Sequence, residues 1–340
     1  MAPPLLSRMS RINARLARSV HPVLAFDAQN SFNSQFRWIA GIDHPSSIAP
    51  LKPMDRTMLD VRPPSAGTAE GSRVAKHNPL PFIDLRGAHL TYGGGADGLL
   101  ALSDVSLQIA KGEFVAVVGP SGCGKSSLLK LVSGLHPPLK GEVWVAGETV
   151  TGPLKICGMA FQNATLLPWR TTLSNVLLPL EIVEPHAARF RRNRQEYLTL
   201  ARDLLASVGL AGFENKYPWQ LSGGMQQRNS LCRALIHSPE LLLLDEPFGA
   251  LDPFTREELW DVVQELWLKR RPTVILVTHD LREALYLADT VYVFSQRPGR
   301  VLSRTEIKLP RPRKLADTFK TEFTDMTHAL REQIATVHRP

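Results

Sequence analysis

A chain of 340 residues, 44% hydrophobic and 21% charged, has room for one large domain or two smaller ones and the make-up of an ordinary globular protein. No apolar run reaches the roughly 18–20 residues that a bilayer-spanning helix needs, so a membrane span would have to come from another subunit. The net charge of +8 reads as a solvated basic surface, although nucleic acid, anionic lipid or an acidic partner would suit the same balance; the three scattered cysteines (Cys123, Cys157, Cys232) form neither a disulfide framework nor a CxxC metal site and fit a reducing cytoplasm.

In chain order, residues 1–80 stand apart. They hold nine of the 26 prolines and ten Lys/Arg against five Asp/Glu. Arg8, Arg11, Arg15 and Arg18 all precede the first acid, Asp27. This reads as a disordered, dispensable basic arm; an organelle transit peptide and translated upstream sequence are the other readings, and there is no secretory apolar segment. The globular part starts near Pro81. Phe82–Arg86 opens a strand, and Val105, Leu107 and Ile109 alternate with polar residues as a second strand. Glu113–Val118 is short, apolar and β-branched, the pattern of a buried strand. It feeds a glycine-rich loop and a helix from Lys125 to Ser133, closed by Gly134. Residues 186–208 read as one helix with Leu198, Ala201, Leu205 and Val208 on its apolar face and Arg189, Arg191, Arg192 and Arg194 at its start. Residues 255–268 read as another, with Thr255 and Glu258 spaced as a capping box. Asp280 and Glu283 offer similar capping after a strand at Val274–Val277. Strands alternating with helices predict a mostly parallel α/β core, and no repeat duplicates it.

Two segments carry chemistry. Gly119-Pro120-Ser121-Gly122-Cys123-Gly124-Lys125-Ser126 matches GxxxxGK[ST] between a strand and a helix. Glycines let the backbone wrap a phosphate with its N–H groups inward, and the helix start adds partial positive charge. Lys125 places a full charge on the β- and γ-phosphates, and the Ser126 hydroxyl suits Mg²⁺. Cys123, beside Lys125 at a helix start, is expected to favour thiolate and to be alkylated unless MgATP protects it. The second segment is Leu241–Leu244 followed by Asp245 and Glu246. A buried strand ending in acids delivers charge to the carboxyl edge of a sheet. There Asp245 suits Mg²⁺, and Glu246 suits a general base polarising the attacking water.

Between them lies Leu221-Ser222-Gly223-Gly224-Met225-Gln226-Gln227-Arg228, which resembles the LSGGQ signature of ABC ATPases. The resemblance spans roughly residues 82–310 and implies a P-loop NTPase of α/β class, with a RecA-like core, an antiparallel β subdomain and a helical signature subdomain at about 166–230. It sets the domain at 81–310, with a helical tail at 311–340. Under this resemblance Tyr92 stacks on adenine, Gln162 is the Q-loop glutamine that reaches Mg²⁺, Gly249–Asp252 is the D-loop and His279 the switch histidine. The implied ATP-binding set is then Tyr92, Gly119–Ser127, Gln162, Ser222, Gly223, Gly224 and Asp252, with Ser126, Gln162 and Asp245 on Mg²⁺ and Glu246 and His279 catalytic. In the family the signature caps the γ-phosphate held by the opposite subunit, so a second copy of the chain is expected as partner. Transmembrane permease subunits and, through them, a periplasmic or lipid-anchored solute-binding protein are expected as well, with no nucleic acid. The expected location is the cytoplasmic face of the inner membrane, peripheral.

Leu166-Leu167-Pro168-Trp169, Ser295–Arg300 and Leu309–Arg313 resemble importers of nitrate, alkanesulfonates and taurine. One departure is that Asn229 and Cys232 stand where the family usually has an aliphatic residue and a small alanine; a local packing change is expected there. The alternatives are a soluble ABC ATPase acting on DNA or ribosomes, or a nucleotide-dependent regulator. A second nucleotide domain or a long coiled-coil insertion would mark the first. Intact Glu246 and His279 argue against the second.

Overall fold

The computed structural model describes residues 80–93 and 98–336. The reading of residues 1–80 as a disordered arm therefore lies, but for Leu80, outside the described residues. Two long strands come first, β1 (Ile83–Tyr92) and β2 (Leu99–Ile109), followed by β3 (Phe114–Val118) and helix α1 (Lys125–Val132). After β4 (Lys140–Val145), β5 (Glu148–Thr149) and β6 (Cys157–Ala160) comes a helical stretch: α2 (Thr172–Ile182), α3 (His186–Arg189), α4 (Arg194–Ser207) and α5 (Gly223–Leu235). The chain then alternates through β7 (Leu241–Asp245), α6 (Pro253–Arg270), β8 (Thr273–Val277), α7 (Leu281–Leu287) and β9 (Thr290–Phe294). It ends with β10 (Val301–Glu306) and α8 (Thr321–Thr336).

These strands form two sheets, one of order β2-β1-β4-β5 and one of order β10-β9-β3-β8-β7-β6. The first is antiparallel; in the second every pairing is parallel except β9 with β10. The apolar runs of β3, β7, β8 and β9 follow from burial on both faces, with side chains alternating between two cores. Phe114, Ala116 and Val118 face one core, and Val115 and Val117 the other. Leu242 and Leu244 likewise oppose Leu241 and Leu243. The first core is closed by the helices, the second by α1 and the antiparallel sheet.

Two local expectations are corrected. The helix foreseen at 186–208 is broken into α3 and α4 around Phe190–Asn193. The break falls in the arginine run, where like charges crowd one helix surface. The cap of α6 is Asp252, whose carboxylate accepts from Thr255 N at 3.1 Å, rather than Thr255 with Glu258. Aspartate is a strong N-cap, and Pro253 at the first helical position pre-sets the turn. Asp280 does cap α7, accepting from Arg282 N at 2.8 Å and Glu283 N at 3.4 Å.

The register decides where chemistry gathers. Val117 pairs with Val277, Asp245 with Val277, and Ala160 with Leu244. The neighbouring strands β3, β8, β7 and β6 thus end together, and the segments after them, starting at Gly119, Thr278, Glu246 and Phe161, leave from one carboxyl edge.

Candidate functional site

The loop Gly119–Gly124 leaves β3 and turns into α1 through Gly122 (φ 73°) and Gly124 (φ 109°). Gly124 also lies so close to β2 that a Cβ there would sit 2.7 Å from Ala101 O, so only glycine fits. Lys125 is buried, and its Nζ donates to the carbonyls of Gly119 and Pro120, both at 2.9 Å. The ammonium is held at the loop by neutral acceptors that a phosphate can replace. The Ser126 hydroxyl donates to Asp245 Oδ1 at 2.9 Å. Burial pushes the Asp245 carboxyl upward, and the neighbouring Glu246 adds to this, while Ser126 and Lys125 oppose it. A hydroxyl, a carboxylate and the nearby Gln162 amide are hard oxygen donors, the set Mg²⁺ takes.

Glu246 follows β7 with φ 45°, a left-handed conformation that a glutamate adopts only when its surroundings impose it. Its N–H donates to Val277 O at 2.9 Å, which locks it to the end of β8. Its carboxylate accepts from Gln162 Nε2 at 3.2 Å and lies 3.5 Å from His279 Nδ1. A cleft of about 460 Å³ unites these groups: Tyr92, Ser121, Gly122, Gly124, Lys125, Ser126, Ser127, Gln162, Glu246 and His279 all line it. The Tyr92 hydroxyl is 3.2 Å from Ser127 Oγ, and Lys130 Nζ stands 5.3 Å from the centroid of its ring. Gly119 and Pro120 line the adjoining cleft, shared with His279 and with Thr327 and Arg331 of α8.

Ser222, Gly223, Gly224 and Asp252 do not line this cleft. Ser222 caps α5, accepting from Met225 N at 3.3 Å, and Ser222 and Gly223 are exposed. A Cβ on Gly224 would meet Leu251 of the Gly249–Asp252 loop at 2.8 Å, so signature and D-loop pack directly together. The helix α5 also anchors the segment around Gln162: Gln227 Nε2 donates to Phe161 O at 3.2 Å, and Arg233 donates to Ala164 O and Thr165 O, both at 3.0 Å.

The expected Cys123 thiolate is not borne out. The side chain is buried under the loop, and burial, the largest influence, pushes the thiol pKa up despite Lys125 nearby. The helix-start charge acts on a group that water cannot reach. Cys232 is also fully buried, with its thiol pushed up by burial and directed at Leu204 O at 3.5 Å.

Comparison with known proteins bears on this geometry. Residues 102–249 match the family described as "ABC transporter". The chain is 41% identical over 240 residues to an aliphatic sulfonates import ATP-binding protein of Bacillus licheniformis, covering 70% of this chain and 90% of that one. The chain belongs to the ABC transporter family. As a member of it, the protein binds ATP and hydrolyses it in the service of transport. It is also 45% identical over 210 residues to a taurine import ATP-binding protein of Yersinia pestis, covering 62% of this chain and 80% of that one. A solved dimeric ATP-binding cassette in a post-hydrolysis state with ADP and Pi superposes with a TM-score of 0.60 at 33% identity, over 67% of this chain and all of that one. Among the described residues of this ABC protein, no helix is long and apolar enough to cross a membrane.

The cleft holds three residues absent from the expected set: Leu99, Ala101 and Arg297. Leu99 is the register partner of Tyr92, so the strand-like pairing around the turn at Gly93 was its only signal. Arg297 was visible solely as part of the Ser295–Arg300 motif.

Proposed function

We propose that this chain is the ATPase subunit of an importer for a small anionic solute, an aliphatic sulfonate, taurine or nitrate. Two copies would clasp ATP between the phosphate loop of one and Ser222–Gly224 of the other, docked on permease subunits at the cytoplasmic face of the inner membrane. A periplasmic or lipid-anchored binding protein would deliver the solute. In this reading residues 81–310 are the ATPase, about 166–230 the part that meets the permease, and 311–340 a helical tail.

The observation that carries the catalytic assignment is the meeting of Gln162 and His279 on the Glu246 carboxylate, in the cleft that holds Lys125. Lys125 exchanges two carbonyl oxygens for phosphate oxygens when ATP enters. Glu246 accepts a proton from a water whose oxygen bonds to the γ-phosphorus, while the bond to the β–γ bridging oxygen breaks to leave ADP and phosphate. General-base help of this kind is worth ~10²–10⁴-fold. Gln162 and His279 fix the carboxylate, and His279 adds a donor at the γ-phosphate. Ser126, Asp245 and Gln162 would hold Mg²⁺, which supplies neutralising charge at the β- and γ-phosphates when bound.

The cargo rests on the two named relatives and on the Leu166–Trp169 and Ser295–Arg300 motifs. Disrupting the gene is expected to abolish growth on an alkanesulfonate or taurine as sole sulfur source, or on nitrate as sole nitrogen source. The wild-type gene restores growth and Lys125→Ala does not. Unimpaired growth of the disrupted strain on all three, with no second uptake system present, rejects the cargo class.

A further inference from the structure

The turn between β9 and β10 is built more firmly than a surface loop needs. Ser295 N donates to Arg300 O at 2.9 Å, and Arg300 N returns a bond to Ser295 Oγ at 2.9 Å. The same hydroxyl faces the carbonyls of Gln296 at 2.7 Å and Pro298 at 3.1 Å, so the turn is tied internally at both ends and in the middle. It is also fastened to the nucleotide site. Gly299 N donates to Ala101 O at 2.9 Å, and Gly299 O accepts from Ser103 N at 3.0 Å. A Cβ on Gly299 would stand 2.3 Å from Cys123 O, so the turn is seated on the phosphate loop itself, at a contact only glycine allows.

What this seating delivers is Arg297. It lines the ATP cleft with Tyr92, Leu99, Lys125 and Ser126. Its side chain is exposed, and it has no hydrogen bond or ion pair to a described residue. Arg300 in the same turn, by contrast, reaches Ser103 Oγ at 3.5 Å. In this cleft Lys125 is already bonded to loop carbonyls, which leaves Arg297 as a full cation without a polar partner among the described residues, beside the place where a polyanion binds.

We propose that Arg297 is a nucleotide-binding residue of this ATPase, a guanidinium held by the Ser295–Arg300 turn so that it pairs with the phosphate chain of ATP. This rests on the cleft being the ATP site. A planar guanidinium with several donors suits phosphate oxygens, and the rigid turn fixes the backbone from which the side chain reaches, so that only side-chain ordering remains to be met on binding. The bond is solvent-exposed, so its contribution is smaller than that of buried Lys125 and is screened by salt.

The test is nucleotide affinity of the full-length protein, measured by calorimetry with MgATP. Arg297→Ala is expected to raise the Kd for MgATP roughly two- to fivefold at low ionic strength, and Arg297→Lys to recover the part of that loss that charge alone supplies. The difference between wild type and Arg297→Ala should narrow as salt is added, because only the wild type has this charge pair to screen. Thermal unfolding without nucleotide should be nearly the same in all three proteins, since the exposed side chain makes no hydrogen bond or ion pair to a described residue. A Kd unchanged in Arg297→Ala, while Lys125→Ala loses binding, overturns the proposal and leaves the ATP cleft standing. Unchanged affinity in both variants removes the cleft assignment and the proposal with it. A salt-independent loss, or one that Arg297→Lys does not relieve, means the turn has moved and equally overturns direct pairing.

Discussion

Asn229 is fully buried on α5, and neither its amide nitrogen nor its amide oxygen has a hydrogen-bond partner. A buried amide without partners forfeits the bonds it had with water and gains none in return. The sequence departure at this position is therefore a local weakness, while Ser222 and Gln227 on the same helix keep their contacts. Asn229→Val removes both unpaired dipoles at similar size and helix propensity, and is expected to stabilise the fold by about 1–2 kcal/mol. Urea denaturation reads this directly as a higher midpoint at unchanged slope. Destabilisation instead would mean that the amide is satisfied by an enclosed water, which a valine would strand. ATP turnover should change little, because Asn229 is outside the cleft.

At the scale of elements, the Leu309–Arg313 motif that reads in the sequence as a mark of related importers proves to be a clasp on α7. Arg313 is buried, and its guanidinium donates to Leu285 O and Ala288 O at 2.7 Å and to Tyr286 O at 3.1 Å. These are the last carbonyls of the helix that begins directly after His279 and Asp280, so a cation here answers both the unpaired acceptors and the helix dipole. Burial, chiefly, lowers the Arg313 pKa to about 10. Gln264 on α6 completes the lock, donating to Arg313 O at 2.8 Å and accepting from Arg313 N at 2.7 Å. Arg313→Ala orphans several carbonyls at once and is expected to cost about 3 kcal/mol or more in a denaturant titration. Arg313→Lys should recover only part, because one ammonium lacks the width of the fork. A loss under ~1 kcal/mol would show the helix end to be rehydrated instead. This contrast explains what the sequence discloses. The phosphate loop, the acidic strand end and Ser222 are contiguous patterns flanked by recognisable strands and helices, so their placement was legible. The presence of Arg297 and Leu99 in the cleft depends on how the β9–β10 turn and the antiparallel sheet seat against the phosphate loop, and no local pattern encodes that. The burial of Cys123 escaped for the same reason: its neighbours in the chain predict an activated thiol, while the sheet beneath it excludes the water that a thiolate needs.

For the whole molecule, the cleft and the signature helix start are separate surfaces of one chain. Ser222 and Gly223 present a capped helix start to solvent, yet they do not line the space held by Lys125, Glu246 and His279. A helix of 13 residues that opens on exposed Ser222 and Gly223 carries at that end the partial positive charge that suits an anion. If the γ-phosphate of a second copy sits there, binding and hydrolysis become separable. Glu246→Gln keeps shape and can still bond to Gln162, but loses the base; it should bind MgATP and turn over ~10²–10⁴-fold more slowly. Because hydrolysis removes the shared anchor, the variant should accumulate as an ATP-bound dimer, visible by light scattering with MgATP and absent without it. Adding Ser222→Arg puts a bulky side chain where the cap must close, and should abolish that dimer while leaving the Lys125 end of each monomer able to bind nucleotide. The packing of Gly224 on Leu251 means that the signature cannot shift without disturbing the D-loop, so the loss should be complete rather than graded. The measurement is repeated with the permease present, which raises the effective concentration of one copy for the other. Should MgATP fail to promote association of Glu246→Gln in either setting, ATP is not shared between chains and the exposed signature helix must serve another purpose.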